Sequence, residues 1–279
     1  MKLLSKKLSL PEMQNLCQSF RREIIDIVYN AQSGHIAGPL SAVEQYVALY
    51  FGDILKYNPK NPLWEKRDKV VISNGHYAPL LYITLAEAGF FDKELLKTFR
   101  NFESILQGHP NRKIPGVETA SGPVGEGLSQ AIGMCLSSKL DKNPCQVYCL
   151  MGDGEQQEGS IWEAIMFAGK YKLDNLVCLI DRNNIQIGGS TETIMPLESL
   201  KAKYESFNWK VININGHSIK EIINAINQAK FINDEPTLII CNTTSGKGIP
   251  FIENKSEWHN KVITKETYNK MLKELEKNK

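Results

Sequence analysis

Five short runs of apolar residues stand out along the chain, at residues 69–72, 147–151, 177–180, 209–214 and 237–241. Their hydrophobicity is continuous, not alternating, which predicts parallel strands covered on both faces. Helix-length segments lie between and around them, with helices expected over residues 11–29, 78–87, 127–140 and 265–276. Three Ser/Glu pairs have the spacing of a capping box: Ser41 with Glu44, Ser160 with Glu163, and Ser218 with Glu221. In such a box the hydroxyl satisfies a free helix amide while the carboxylate reaches back to the cap. Strands alternating with helices predict an α/β fold, a doubly wound and mainly parallel sheet with helices on both faces. No internal repeat or low-complexity stretch interrupts the pattern. The Pro- and Gly-rich residues 108–127 read as an ordered functional loop, so residues 1–279 are expected to form a single domain.

In open α/β sheets, ligands bind outside the carboxyl ends of the strands. The unusual residues fall at those ends. The runs are followed by Ser73-Asn74-Gly75-His76, Gly152-Asp153-Gly154, Asp181-Arg182-Asn183-Asn184, Asn215-Gly216-His217 and Thr243-Thr244-Ser245-Gly246-Lys247-Gly248. Gly and Asn at one strand end make an ordinary turn. Five such ends on one rim, four of them carrying His or Asp, point to a site. Gly152-Asp153-Gly154, with Asn183-Asn184 at the next strand end, is the most informative pair. Mg2+ wants hard oxygens and usually binds through one or two protein groups plus substrate phosphates. Asp153 offers a carboxylate and Asn183 a neutral amide oxygen. Gly152 and Gly154 let backbone approach a diphosphate closely, and a helix beginning near Ser160 brings free amides. A lone Gly-Asp-Gly would read as a turn; the trailing Asn pair sharpens it into a metal–diphosphate site.

Composition narrows the classes. With 33 basic against 31 acidic residues the net charge is only +2, so no nucleic-acid partner is expected. The cysteines, Cys17, Cys135, Cys145, Cys149, Cys178 and Cys241, form no C-x-x-C pair and are too sparse for a disulfide framework. Cys149, Cys178 and Cys241 sit in apolar runs and read as reduced core residues. The first ten residues are broken by Lys2, Lys6 and Lys7 and lack an apolar signal core. No apolar run approaches the ~18 residues of a membrane span. A cytoplasmic protein without a membrane partner is expected.

At this point the chain resembles the thiamine-diphosphate enzymes, whose fingerprint is a Gly-Asp-Gly and a trailing Asn-Asn. Further segments narrow the resemblance to transketolase: Ser33-Gly34-His35, Ser73-Asn74-Gly75-His76, Gln107-Gly108-His109-Pro110, Gly122-Pro123-Val124-Gly125-Glu126-Gly127, Met151-Gly152-Asp153-Gly154-Glu155 and Glu257-Trp258-His259. They run in order from Gly34 to His259. The resemblance implies that Asp153, Asn183 and the main-chain oxygen of Ile185 hold Mg2+, with Ca2+ or Mn2+ able to substitute. It implies that His76, Gly154 and His259 lie against the diphosphate of thiamine diphosphate, with Gly152 and Glu155 in the same cofactor-binding set. Gly122, Pro123 and Val124 would line the pyrimidine. His35, His109 and His259 would contact the sugar near the reacting carbon, as proton carriers or donors to developing oxyanions. Glu158 would lie near the cofactor and a subunit contact. His217, in its Asn-Gly context, reads instead as a turn anchor.

Three positions depart from the family pattern. His35-Ile36 stands where the family often has His-Pro, Glu126 replaces a common Gln, and Lys247 faces either phosphate or solvent. The larger departure is length. A full transketolase carries two further domains, which supply the Glu that activates the pyrimidine, aromatic residues that stack on it, and basic residues for sugar phosphate. Nothing after the last expected helix can supply these. The chain therefore resembles the N-terminal subunit of a split transketolase. A second subunit is expected, in a two-fold heterotetramer, transferring a two-carbon ketol unit between sugar phosphates, with pentose phosphates the default. Three other readings compete: the alpha subunit of a 2-oxo acid dehydrogenase, a non-catalytic thiamine-diphosphate binder, and a Mg2+-dependent phosphate-ester hydrolase using Asp153. The His set favours transketolase, because polyol chemistry needs several proton carriers.

Overall fold

All five apolar runs become strands of one parallel sheet in the computed structural model, which describes residues 7–277. Most of the N-terminal segment, including Lys2 and Lys6, lies outside the described residues. In chain order the regular elements begin with α1 (Leu10–Ala31), α2 (Ala37–Ser41), α3 (Val43–Phe51), β1 (Lys69–Ile72), α4 (Ala78–Glu87), α5 (Gly127–Leu140), β2 (Val147–Gly152) and α6 (Gly159–Lys170). They continue with β3 (Leu176–Arg182), β4 (Ile185–Gln186), β5 (Gly189–Ser190), α7 (Thr191–Ile194), α8 (Leu200–Glu205), β6 (Lys210–Asn215), α9 (Ile219–Ala229), β7 (Thr237–Asn242) and α10 (Lys265–Lys277). The large sheet has the order β1-β2-β3-β7-β6, and β4 pairs with β5 in a small antiparallel hairpin.

Alternate strand residues feed two separate cores, as the period of a strand requires. Val70, Ile72, Tyr148, Leu150, Val177, Leu179 and Ile239 face one core, with α1, α3, α4 and α9. Val71, Val147, Cys149, Met151, Leu176, Cys178, Ile180 and Ile240 face the other, with α5, α6 and Tyr204 of α8. Strands β2 and β3 are buried at every position. Strand β6 is not covered on both faces as expected. It is the edge strand beside β7, with Val211 buried, Ile212 and Ile214 half-buried, and Lys210, Asn213 and Asn215 exposed.

The helix starts correct part of the capping expectation. Ser41 caps nothing: it ends α2, is fully buried, and its hydroxyl lies within donating reach of Gly38 O, at 2.7 Å, and of the Asp181 carboxylate. A buried carboxylate is the stronger acceptor, and it claims the hydroxyl. Ser160 lies inside the first turn of α6, where Glu158 holds the cap position, and its hydroxyl donates to Gly125 O at 3.3 Å. Ser218 does cap α9, accepting from the Glu221 amide at 3.3 Å, but the Glu221 carboxylate accepts from the Asn215 amide at 3.0 Å. A capping box that the pattern did not suggest stands at α1, where the Glu12 carboxylate accepts from the Ser9 amide at 2.7 Å.

Parallel pairing puts the carboxyl ends of β1, β2, β3 and β7 on one rim. Ile72 pairs with Leu150, Gly152 with Asp181, and Arg182 with Asn242.

Candidate functional site

A cavity of about 440 Å3 opens on that rim. It is lined by His35, His76, His109, Gly122, Val124, Gly152, Asp153, Gly154, Glu155, Glu158, Asn183, Ile185 and His259, among others. Of the residues expected at the site, only Pro123 is absent from the lining; it is exposed beside Val124. Lys247 does not line the cavity either. A wider cleft of about 760 Å3 runs past Lys69, Met134 and Cys145, at the amino ends of β1 and β2. That rim is the wrong one for a ligand of an open α/β sheet.

The acidic end of the cavity is built by the turn after β3. Asn184 has a left-handed φ of 64°, which Asn tolerates because its short polar side chain bonds locally. The turn aims its amide at Asp153 Oδ2, at 2.6 Å. Arg182 Nη1 donates to the same oxygen at 3.1 Å, so both hydrogen bonds to Asp153 fall on Oδ2. Burial and the neighbouring Asp181 charge push the Asp153 carboxyl up to about 7, against the pull of Arg182. Asn183 is oriented by Asp181: its Nδ2 donates to Asp181 Oδ2 at 2.8 Å. Its Oδ1, already accepting from the Ile185 amide at 2.9 Å, is the atom left for a cation.

The basic end is a cluster of histidines. The His35 ring lies 5.0 Å from His76, 6.4 Å from His109 and 5.2 Å from His259, and His76 lies 5.2 Å from His259. Burial, then the His259, His109 and Arg100 charges, lower His35 from near 6.5 to about 4. Near-complete burial, with its His neighbours, also holds His76 well below the usual imidazole range. Burial also lowers His109, with Arg100 adding to the effect, and lowers His259. These rings are therefore neutral at neutral pH, each able to accept at one nitrogen and donate at the other. Gly34, with a φ of 137°, makes the turn that brings His35 into the group.

Several residues that organise the site carry no strong signal in the sequence. Asp181 is a fully buried hub that accepts from Ser41, Thr243, Tyr77 at 2.6 Å and Asn183 at 2.8 Å. A lone acid closing an otherwise apolar run was its only signal, since a buried carboxylate must be heavily bonded. Glu155 lines the cavity, but its carboxylate is committed to Ser73 and to the Gly152 amide at 2.6 Å. Burial pushes it up to about 7. It ties the ends of β1 and β2 together. Gly127 is needed where it stands, because a Cβ there would lie 2.4 Å from Ser73 Cβ. His217 anchors its turn. Its Nε2 accepts from the Thr244 amide at 2.9 Å, which leaves the proton on Nδ1 facing Glu44 at 3.2 Å.

The donor set fits a hard dication carried with a diphosphate. Among the described residues no group of three or more His, Cys, Asp or Glu side chains is placed to hold a metal ion. A metal here would rely on one carboxylate, neutral oxygens and ligand phosphates, the pattern of Mg2+. The cavity wall also holds a buried acceptor without a partner among the described residues, Asn74 Oδ1, while a Cβ on Gly122 would meet nothing within 4 Å. Both leave room and unspent polarity for a bound group.

Comparison with known proteins places these features. The family described as "Transketolase, thiamine diphosphate binding domain" matches residues 13–278. The chain is 44% identical over 255 residues to an apulose-4-phosphate transketolase subunit of Phocaeicola vulgatus, covering 91% of this chain and 90% of that one. It is 40% identical to a 6-deoxy-6-sulfo-D-fructose transketolase subunit of Clostridium sp. (strain MSTE9), covering 95% and 97%. Against human transketolase it is 37% identical, covering 95% of this chain but 42% of that protein. The crystal structure of transketolase from Campylobacter jejuni superposes with a TM-score of 0.90 at 36% identity, over 96% of this chain and 43% of that one.

Proposed function

Since the chain belongs to the transketolase family, as its thiamine-diphosphate-binding domain, we propose that residues 1–279 act as one diphosphate-binding module of a split, Mg2+-dependent transketolase. The module works with a second subunit that carries the pyrimidine-binding and C-terminal domains. The observation that carries this reading is the cavity in which Asp153 and Asn183 face the His35, His76, His109 and His259 cluster. The chain spans nearly all of two proteins named as transketolase subunits and 42% of human transketolase.

Asp153, Asn183 and the main-chain oxygen of Ile185 hold Mg2+, which carries the diphosphate. His76 and His259 border that diphosphate, and Gly154 lets it approach the backbone. Gly122, Pro123 and Val124 form this chain's side of the pyrimidine pocket. When bound, thiamine diphosphate supplies an electron sink for the carbanion left when a ketose carbon–carbon bond breaks. His35, His109 and His259 hold and move protons at the sugar hydroxyls, for which neutral imidazoles are suited. The substrates are ketoses and aldoses with an anionic terminus, sugar phosphates by default. Two relatives of similar length are named for an apulose phosphate and a sulfofructose, so the named sugar differs within this size class.

The partner sits over the cavity mouth. Val124 and Ile187 line it while being 56% and 80% exposed. Ile194 packs beside Gly188, and Met195 O accepts from the Gln157 side-chain amide. Met166, Phe167 and Tyr171 add further exposed apolar surface on and just beyond α6. Exposed apolar residues beside a site mark an interaction surface. A heterotetramer of two copies of each chain about a two-fold axis, in the cytoplasm, completes the proposal. No helix among the described residues is long and apolar enough to cross a membrane.

The test is direct. With the second subunit present, thiamine diphosphate and Mg2+ together stabilise the protein by about 2.7 kcal/mol at a hundredfold excess over the dissociation constant. The assembled protein transfers two carbons from a ketose phosphate and does not decarboxylate 2-oxo acids. Cofactor binding indifferent to Mg2+, or oxo-acid turnover, would overturn the reading.

A further inference from the structure

Arg182 closes β3 with a side chain only 3% exposed, and its guanidinium is bonded on both forks. Nη1 donates to Asp153 Oδ2 at 3.1 Å and to Thr191 Oγ1 at 2.7 Å. Nη2 donates to Glu192 Oε1 at 2.7 Å and Glu198 Oε1 at 3.0 Å. Glu192 in turn accepts from the amides of Leu197 and Glu198 at 3.1 and 3.5 Å. The Thr191 amide donates to Asn184 O at 3.0 Å. One guanidinium therefore joins a cavity carboxylate to a whole surface segment, residues 191–198.

A buried Arg needing only neutralisation would be satisfied by one carboxylate. Here the guanidinium bridges three carboxyl groups, Asp153 in the cavity and the more exposed Glu192 and Glu198, which is the arrangement of a clamp. Arg182 and the Asn184 amide both bind Asp153 through Oδ2, so Oδ1 is not spent on them.

We propose that Arg182 is a positioning residue for the metal site. Its planar fork fixes Asp153 through Oδ2, reserves Oδ1 for Mg2+, and couples metal loading to the ordering of residues 184–198. That segment also carries the exposed Ile187, Ile194 and Met195 at the cavity mouth, so metal, cofactor and docking surface become one cooperative unit. The inference rests on the reading of Asp153 as a metal ligand. Lys would keep the charge but cannot span four acceptors with a planar fork.

The experiment uses the full chain assembled with the pyrimidine-binding subunit. Mg2+ is titrated at fixed thiamine diphosphate with calorimetry as the readout, and amide exchange is followed over residues 184–198. Arg182→Met is expected to raise the Mg2+ needed for half-saturation by about 10–100-fold, the range for groups that hold metal ligands in place. Arg182→Lys recovers a minor part of the loss. Wild-type protection of residues 184–198 rises on loading, and in Arg182→Met it does not. A Met variant whose titration superimposes on wild type overturns the proposal, and so does full recovery by Lys, which would make charge alone sufficient. If Arg182→Met fails to fold, the Thr191→Val, Glu198→Gln double variant decides: a raised Mg2+ requirement supports the clamp and an unchanged one overturns it. A wild-type protein that binds cofactor without Mg2+ dependence removes Asp153 as a ligand, and this inference with it.

Discussion

On the proposed reading, Asp153 and the histidines divide the work of the cavity between charge and proton traffic, and single substitutions separate the two. Asp153→Ala is expected to weaken Mg2+-dependent cofactor binding by at least about 10–100-fold, read by titration in the assembled protein. His76 is almost fully buried within the cluster, so His76→Ala should chiefly harm cofactor affinity. His109 is more open, and His109→Ala should lower turnover at saturating cofactor while leaving that affinity near wild type; steady-state kinetics distinguish the two. The same cluster sets a pH response. Unfolded imidazoles take up protons as the pH falls through about 6.5, whereas folded His35 stays neutral down to about 4. The unfolded state binds more protons across that window, so stability falls as the pH drops through it. In His35→Asn the loss of melting temperature between about pH 7 and pH 4.5 should be smaller than in wild type.

The helices and strands show which local signals survive folding. Helices α4 and α5 and strand β1 have the bounds that periodicity and apolar runs suggest, because their faces are decided by burial alone. The Ser/Glu signals fared differently. Ser218 stands at a free helix end and caps it, so Ser218→Ala should cost about 0.5–2 kcal/mol in chemical denaturation. Ser160 sits inside α6 with one long bond, and Ser160→Ala should stay within about 0.5 kcal/mol of wild type. Ser41 has the same three-residue spacing, yet its hydroxyl belongs to Asp181, 140 positions away. A spacing rule counts neighbours along the chain and has no knowledge of a buried carboxylate arriving from another strand.

At the scale of the molecule, the cavity is open on the side where Val124, Ile187 and Glu158 stand exposed. The chain alone, saturated with Mg2+ and thiamine diphosphate, is expected to show no robust two-carbon transfer. Adding the second subunit should restore turnover and form an obligate interface burying on the order of 2,000 Å2 or more. Phe167→Asp should weaken that assembly, as measured by sedimentation, without lowering the stability of the isolated chain by more than about 0.5 kcal/mol. Apolar runs, their order and the polar residues at their ends predict the parallel α/β layout, the rim, and the lining residues that follow β1, β2 and β3, whereas His35, His109, Gly122, Val124, Glu158 and His259 enter only through the family resemblance. The layout and the rim follow from strand period and from the rule that parallel strands end on one side, both of which are local or topological. What the tertiary structure alone decided is how the rim is wired: Asp181 as a hub, Glu155 as a tie between loops, Arg182 as a clamp on Asp153, and the histidines held neutral. Each of these depends on which buried donor meets which buried acceptor across the sheet. That pairing is set by packing distances of a few ångströms, which linear order does not encode.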